Sequence, residues 1–434
     1  MLQILVNRIE FLSVLHNRNF RVYSIGLVAS VMAQQSLVAT QAWLVFHLTG
    51  SPAALGLVGG VHAAPGLVVT LLGGAFADRY NPRNIILIAQ SSSAALMAVM
   101  ATLVIMGWIE VWHIIVITFF VGIAQSFDSP ARRTVWPPMI QRSEFVSAIS
   151  ISQAIWNGTR IIAPGMAGLI IATGGIATGN EQDGAGVSLY VSFVGFLAMA
   201  VAMRMVRMPK VQRSTGASVL HDVADGLLFV RRNRVFMYLL GISLASGYFG
   251  LSYLFLMPVF AEEYLGTGAG GYGLLLSGGG VGALLGVFAV ASFGQYQDRA
   301  WVLTGAALVA GTSVVIFAIT SALVGSYTLA MVLMVVTGAA FGVFQVATGT
   351  SVNLLVPDEY RGRVMGLRGI MFNLAPLGSL QAGLIASAVN APFAVGLGGA
   401  VLLVFAVLTY TTSWEIRHLR QMVAEATAAH ALKD

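Results

Sequence analysis

Residues 53–107 read AALGLVGGVHAAPGLVVTLLGGAFADRYNPRNIILIAQSSSAALMAVMATLVIMG, two long apolar runs on either side of one short polar segment at residues 78–83. A helix that crosses a membrane needs about 20 predominantly apolar residues. Both runs reach that length, and the polar segment between them is too short to form a domain. The stretch therefore predicts two membrane-spanning helices that follow one another directly.

Apolar runs of the same kind recur along the whole chain. The 434 residues are 57% hydrophobic and only 9% charged, whereas a soluble domain carries about 25% charged residues. We therefore predict an all-α integral membrane protein with twelve transmembrane helices. The predicted spans are residues 22–46, 53–77, 84–107, 112–131, 145–172, 187–203, 235–261, 271–294, 301–321, 326–352, 364–388 and 393–414.

The basic residues indicate how these spans are oriented. An even number of spans places both chain ends on one side of the membrane. All 23 lysines and arginines except Arg160 and Arg368 fall in the terminal and loop segments of that side, and the loops of the other side contain none. Because Lys and Arg accumulate in cytoplasmic loops, we predict a multi-pass protein of the cytoplasmic (inner) membrane with both termini in the cytoplasm.

The longest polar stretch divides the spans into two sets of six. We predict an N-terminal six-helix bundle with an interfacial N-terminal helix at residues 1–203, a cytoplasmic linker at 204–234, a C-terminal six-helix bundle at 235–414 and a cytoplasmic C-terminal helix at 415–434. Two similar halves joined by a linker are typical of transporters built by duplication.

Within the linker, residues 218–232 predict an amphipathic helix that lies on the inner membrane surface. The spacing places four apolar residues on one face of this helix: Val219, Val223, Leu227 and Val230.

Several kinds of chemistry have no basis in the sequence. The chain has no cysteine, which excludes disulfides and thiolate metal sites. Its two lysines, Lys210 and Lys433, follow no Gly-rich phosphate-binding loop. No zinc-protease or hydrolase motif and no cluster of His and carboxylates occurs. We expect no enzyme activity, no cofactor, no metal site and no nucleic-acid partner. We attribute the net charge of +6 to the basic residues of the cytoplasmic loops, which orient the protein in the membrane.

The loop between the second and third spans carries the sharpest local motif. Gly74 permits close helix contact, Asp78 suits the positive end of a neighbouring helix, and Arg79 and Arg83 suit charge-assisted hydrogen bonds. An ordinary positively charged loop is the alternative.

Further motifs occur in a fixed order along almost the whole chain. They are Asn19-Phe20-Arg21, the LTGSP sequence at residues 48–52, the loop at 74–83, Pro130-Ala131-Arg132, the segment 157–168 and the segment 361–366. This order resembles the major facilitator superfamily, in particular the bacterial branch of the enterobactin exporter and the macrolide-efflux-type proteins. The resemblance implies the major facilitator fold, with two six-helix bundles around a central cavity that opens to alternate sides of the membrane.

The resemblance also implies a charge network at the cytoplasmic end. Asp128 lies near that end of the fourth span, and in the family an acidic residue near here contacts an arginine of the loop. We therefore predict a gate formed by Asp78, Arg79, Arg83 and Asp128, in which Asp128 pairs with Arg79 or Arg83. Proton coupling is the alternative role for Asp128. The loop departs from the family pattern at Asn81 and Pro82.

Polar residues inside the spans are candidates for a substrate cavity, because such residues seldom face lipid. Arg160 is a charge deep in the fifth span, and the spacing places it on one face with Gln153 and Asn157. The full set of predicted cavity residues is Gln34, Gln41, His62, Gln153, Asn157, Arg160, Gln345 and Asn373. Structural hydrogen bonds between helices are the alternative for each.

Pro164, Gly165 and Gly168 resemble the antiporter motif of the superfamily, although Ala163 replaces a glycine of that motif. The proline is expected to kink the helix, and the glycines provide a small-residue surface for helix packing. Generic packing, without any bearing on the direction of transport, is the alternative.

Together these features predict a secondary active transporter that exports small organic molecules, drug-like or siderophore-like, by antiport with protons. We expect it to act as a monomer in contact with membrane lipid. The alternatives are a uniporter or importer of small solutes, a lipid flippase on the same fold, and a membrane sensor without transport activity.

Overall fold

A computed structural model describes residues 13–77, 81–207, 219–293, 299–372 and 374–431. Within these ranges the chain consists of helices and short connections, without β-strands. The first six long helices are α1 (Arg18–Thr49), α2 (Pro52–Ala77), α3 (Pro82–Ile105), α4 (Val111–Val135), α5 (Phe145–Thr178) and α6 (Glu181–Met205).

The second half begins with a shorter helix, α7 (Val219–Arg232). It continues with α8 (Arg234–Ala245) and α9 (Tyr253–Val259), which two π-helical turns, Ser246–Gly250 and Phe260–Tyr264, complete into one span. The remaining helices are α10 (Gly268–Phe293), α11 (Arg299–Leu323), α12 (Tyr327–Leu355), α13 (Asp358–Phe372), α14 (Ala375–Ala388), α15 (Ala391–Thr412), α16 (Trp414–Arg417) and α17 (Leu419–Ala431).

Each of the twelve predicted apolar runs coincides with a helical segment. Within the described residues, 11 helical segments are long and apolar enough to cross a membrane. Helix α2, which has 26 residues, occupies the position of the second predicted span. The hydropathy pattern locates the helices correctly because each span is defined by the apolar character of its own residues.

The chain divides into two compact units, and their boundary differs from the predicted one at a single place. The first unit comprises residues 1–48 and 61–219, and the second comprises 49–60 and 220–434. The first turns of α2 therefore pack with the second half of the chain. A Cβ atom added at Gly383 of α14 would lie 2.5 Å from the carbonyl oxygen of Pro52, so only small residues permit this approach.

Small residues also set the packing of helices inside each unit. In the second unit, a Cβ atom at Gly282 or Gly286 of α10 would collide with the backbone of α12 at Val335 or Ala339. The glycine-rich segment of α10 is therefore a close-packing surface. In the first unit, Gly195 of α6 meets α1 in the same way.

One end of each unit carries the basic loops, and we call it the basic end. A hydrophobic cluster lies there in both units. In the first unit it includes Phe20, Ile86 and Met203, which come from α1, α3 and α6. In the second unit it includes Phe236 and Leu303.

Helix α7 forms as predicted. Of the predicted apolar face, Val230 is 5% exposed and Leu227 is 53% exposed. The helix also packs through Gly226, which lies against Arg363 and Leu367 of α13. Phe229 stacks on Tyr360, with ring centroids 4.3 Å apart. Contact of Leu227 with the inner membrane surface stays a prediction.

Candidate functional site

A buried ion pair lies near the basic end of the first unit. Asp128 is 5% exposed and Arg132 is 8% exposed. The two lie four residues apart on α4, which places them on the same side of the helix, and Arg132 Nε donates to Asp128 Oδ2. Loss of either member of such a pair leaves the other charge buried without compensation, which destabilises the protein.

The ion pair belongs to a longer polar network that links three helices. Arg132 Nη2 donates to Ser30 Oγ of α1 at 2.5 Å, and Ser30 Oγ donates to Gln90 Oε1 of α3 at 3.1 Å. Two further atoms, Asp128 Oδ1 and Arg132 Nη1, are buried without a hydrogen-bond partner among the described residues. The carboxylate of Asp128 could therefore accept a further hydrogen bond, and the guanidinium of Arg132 could donate one.

The predicted pairing of Asp128 with Arg83 is wrong. The guanidinium of Arg83 instead covers the end of α6: Nε donates to the carbonyl oxygen of Met203 at 2.7 Å and Nη2 to that of Arg204 at 2.9 Å. Free carbonyls at a helix C-terminus attract a cation, which explains this choice. Asp78 and Arg79 lie outside the described residues.

Helix α5 presents its predicted polar residues on an accessible face. Gln153 and Arg160 are exposed and Asn157 is half-buried. Asn157 Nδ2 donates to the carbonyl oxygen of Gln153 at 2.9 Å. A Cβ added at Gly158 has no neighbour within 4 Å among the described residues, its own helix backbone apart.

The same face of α5 is closed along its second half. Pro164, Gly165, Gly168 and Ile171 are all buried. At this level Ser36 Oγ of α1 donates to the carbonyl oxygen of Ala163 at 3.3 Å. The helix thus combines an open polar half and a tightly packed apolar half.

The two glutamines predicted on α1 differ in their surroundings. Gln34 is half-buried and donates to Gln125 Oε1 of α4 at 2.8 Å. Gln41 is 4% exposed, and its amide donates to Thr118 Oγ1 at 3.1 Å. Gln41 therefore does not line an accessible cavity, because neighbouring helices enclose it and satisfy its amide. His62 is half-buried on α2, and its carbonyl oxygen lies beside Gly122 of α4.

In the second unit, Gln345 binds an arginine that belongs to a candidate membrane-spanning segment. Arg368 Nη2 of α13 donates to the carbonyl oxygen of Gln345 at 2.8 Å and to its side-chain Oε1 at 3.0 Å. Arg368 Nε is buried without a hydrogen-bond partner within the described ranges. The other predicted residue of this half, Asn373, lies outside those ranges.

Sequence reasoning missed Arg132, Gln90, Gln125 and Arg368 as partners. A signal existed only for Arg132, since Asp128 and Arg132 have the i,i+4 spacing of a helical ion pair. The other partners depend on which helices become neighbours. No cluster of three or more His, Cys, Asp or Glu residues with metal-binding geometry occurs in the part of the chain that the structure describes.

Comparison with known proteins identifies relatives along most of the chain. The chain is 28% identical over 363 residues to the multidrug efflux pump Tap of Mycolicibacterium fortuitum, covering 80% of this chain and 84% of that protein. It is 20% identical over 389 residues to macrolide efflux protein A of Streptococcus pyogenes, covering 89% and 92%.

Solved structures of transporters share the fold. A bacterial homologue of the human lysosomal transporter Spinster superimposes with a TM-score of 0.70 at 14% identity, over 94% of this chain and 98% of that one. A D-xylose–proton symporter superimposes with a TM-score of 0.68 at 14% identity, over 93% and 98%. The transmembrane secretion effector family matches residues 10–431. The chain therefore belongs to that family of the major facilitator superfamily, and it is a membrane transporter rather than an enzyme.

Proposed function

We propose that this protein exports small amphipathic organic molecules from the cytoplasm by alternating access, in exchange for protons. The observation that carries the proposal is the accessible polar face of α5, where Arg160 is exposed inside a membrane span. A charge at that depth costs about 2.5–3.5 kcal/mol against lipid, which favours a polar environment, water or a polar partner, for its exposed part. The efflux relatives support export as the direction and drug-like compounds as the cargo.

The division of α5 into two halves supports alternating access. Its polar face is open from Gln153 to Arg160 and buried from Pro164 onward. Within the second unit, α13 and its continuation α14 show a similar division. Among the described residues outside its own helix backbone, a Cβ atom at Gly362 or Gly366 would have no neighbour within 4 Å, whereas one at Gly378 would collide with the carbonyl of Tyr248. In each unit, such a division is expected of a helix that borders a space open toward the basic end, which we assign to the cytoplasm.

The buried network around Asp128 is our candidate for the gate. Asp128 binds Arg132 on α4, Arg132 binds Ser30 of α1, and Ser30 binds Gln90 of α3. A change in the charge of Asp128 therefore acts on three helices through Arg132. Asp78 and Arg79 remain predicted members of the gate. Arg83 acts beside it by holding α3 to the end of α6.

Purified protein in proteoliposomes tests this function. An imposed pH gradient is combined with a macrolide and with dyes of either charge, and internal pH and compound movement are recorded together. We expect compound-dependent proton movement that falls at least tenfold in Arg160→Ala. The matched control is Arg142→Ala, which removes an exposed arginine ahead of α5.

Compounds that cross without proton movement would contradict antiport and favour a uniporter. Movement of labelled phospholipid in the absence of any compound would favour a flippase. If Arg160→Ala transported compounds at the wild-type rate, Arg160 would not be a substrate-binding residue of the cavity.

A further inference from the structure

A groove on the surface of the first unit has features that the transport cycle does not use. It lies between α3 and α6 and has a volume of about 430 Å³. Its walls include Leu87 and Ile88 from α3 and Leu197 and Val201 from α6. Ile88 is 66% exposed and Val201 is 48% exposed, so these apolar walls face the surroundings of the unit. In a membrane protein, those surroundings are lipid.

A positive charge stands at the basic end of this groove. Arg204 lines the groove from the last turn of α6 and is exposed. Its guanidinium forms no hydrogen bond or ion pair with the described residues. Leu197 lies seven residues earlier, about 10 Å deeper along the helix axis. The groove thus has a cationic entrance and an apolar interior.

The end of α6 does not neutralise this charge. The carbonyl oxygens of Met203 and Arg204 would ordinarily give the helix terminus a partial negative charge. Both accept hydrogen bonds from Arg83. A second cation therefore occupies the position at which a negative helix end would otherwise lie, and the entrance favours an anionic group.

The corresponding pair of helices in the second unit carries different side chains at this end. Its third and sixth spans, α11 and α15, pack together as α3 and α6 do in the first unit. Trp301 of α11 and Tyr410 of α15 lie near the basic end with ring centroids 5.2 Å apart and ring planes tilted by 47°. The groove of the first unit is lined instead by Arg204, Ser91 and Ser92.

We propose that the groove between α3 and α6 is a binding site for one anionic phospholipid of the membrane leaflet at the basic end. The phosphate binds Arg204, and an acyl chain lies along Leu87, Ile88, Leu197 and Val201. A phosphate matches a guanidinium in charge and geometry, and basic pockets between membrane helices suit anionic headgroups. The lipid joins α3 to α6, beside the bond that Arg83 makes between the same helices.

Native mass spectrometry of the purified full-length protein tests this site. The protein is equilibrated in micelles that contain equal amounts of phosphatidylglycerol and phosphatidylcholine, and the retained lipid is counted. We expect wild type to retain one phosphatidylglycerol in preference to phosphatidylcholine. Arg204→Gln should lower that retention at least fivefold. The matched control is Arg234→Gln, an exposed arginine at the start of α8, and it should retain lipid as wild type does.

A second variant tests the apolar part of the groove without a change of charge. Ser91→Trp places an indole in the groove from an exposed position and should also lower phosphatidylglycerol retention. Thermal unfolding in lipid-free detergent shows whether each variant is folded. Equal retention of both lipids by wild type, or unchanged retention in a folded Arg204→Gln variant, would overturn the proposal.

Discussion

Two contact regions hold helices together by different physical means. Near the basic end of the first unit, the contact is polar: Asp128 and Arg132 are buried together and bound to Ser30. Near the end of α14 in the second unit, the contact is made by small residues, and Gly383 lies against Pro52 and Gly56 of α2. The polar contact depends on complementary charges, whereas the small-residue contact depends on the absence of side-chain atoms.

The difference has a consequence for the alternating access that we propose. A buried ion pair separates at moderate cost only if water reaches both charges, because an isolated buried charge is expensive. A contact between small residues leaves no charge behind when it opens, so its separation requires no hydration of ions. The two regions should therefore respond to different kinds of substitution.

The largest effect is expected at the ion pair. Asp128→Asn leaves Arg132 buried without a counter-charge, and loss of one member of such a pair costs about 3–5 kcal/mol. Thermal unfolding in detergent should show a strongly lowered midpoint, and transport should fall. The double variant Asp128→Asn/Arg132→Gln, which is neutral at both positions, should recover most of the stability.

The chain contains no cysteine, so single introduced cysteines report conformation without background. Labelling from each side of the membrane should show a shifted balance in Asp128→Asn. If this variant keeps the stability, transport and labelling pattern of wild type, Asp128 has no role in a gate.

A smaller effect is expected at the contact between α2 and α14. In Gly383→Leu, the new Cβ atom would lie 2.5 Å from the carbonyl oxygen of Pro52 and 2.9 Å from Gly56 Cα. Overpacking of this kind costs about 1–3 kcal/mol. A cysteine at Ser387, whose hydroxyl accepts a hydrogen bond from the Ala53 amide, should become more reactive as the contact opens.

Gly366→Leu is the matched control for this contact, because a Cβ atom there has no neighbour within 4 Å in the described part of the chain outside its own helix backbone. It should change stability by less than about 0.5 kcal/mol. Equal loss of stability in the two glycine variants would show that the close approach at Gly383 is not the cause.

The smallest effect is expected at Arg83. Arg83→Ala removes a cation from the end of α6, a contact worth about 0.3–1 kcal/mol at a partly exposed position. Hydrogen exchange at residues 200–205 should accelerate while the rest of α6 remains protected. Arg133→Ala, which removes an exposed arginine at the end of α4, should leave this exchange unchanged. Unaltered protection in Arg83→Ala would contradict the capping role.

Sequence reasoning located the spans well but assigned polar partners poorly. Gln34 and Gln41 lie seven residues apart on the same helix and look equivalent in the sequence. Gln41 is buried and donates a hydrogen bond to Thr118, whereas Gln34 is half-buried and donates to Gln125. Arg83 was expected beside Asp128 and instead lies at the end of α6. In each case the outcome depends on a neighbour that is distant in the chain.

The sequence by itself determined where the apolar spans lie, because the partition of an apolar run into lipid depends on the residues of that run alone. It also determined which loops are basic. Only the tertiary structure decided that Arg132 of α4 binds Ser30 of α1, that residues 49–60 pack with the second unit, and that Arg204 lies at the entrance of a groove. These features follow from which helix surfaces meet, and that choice is settled by close packing and hydrogen bonding over the whole bundle.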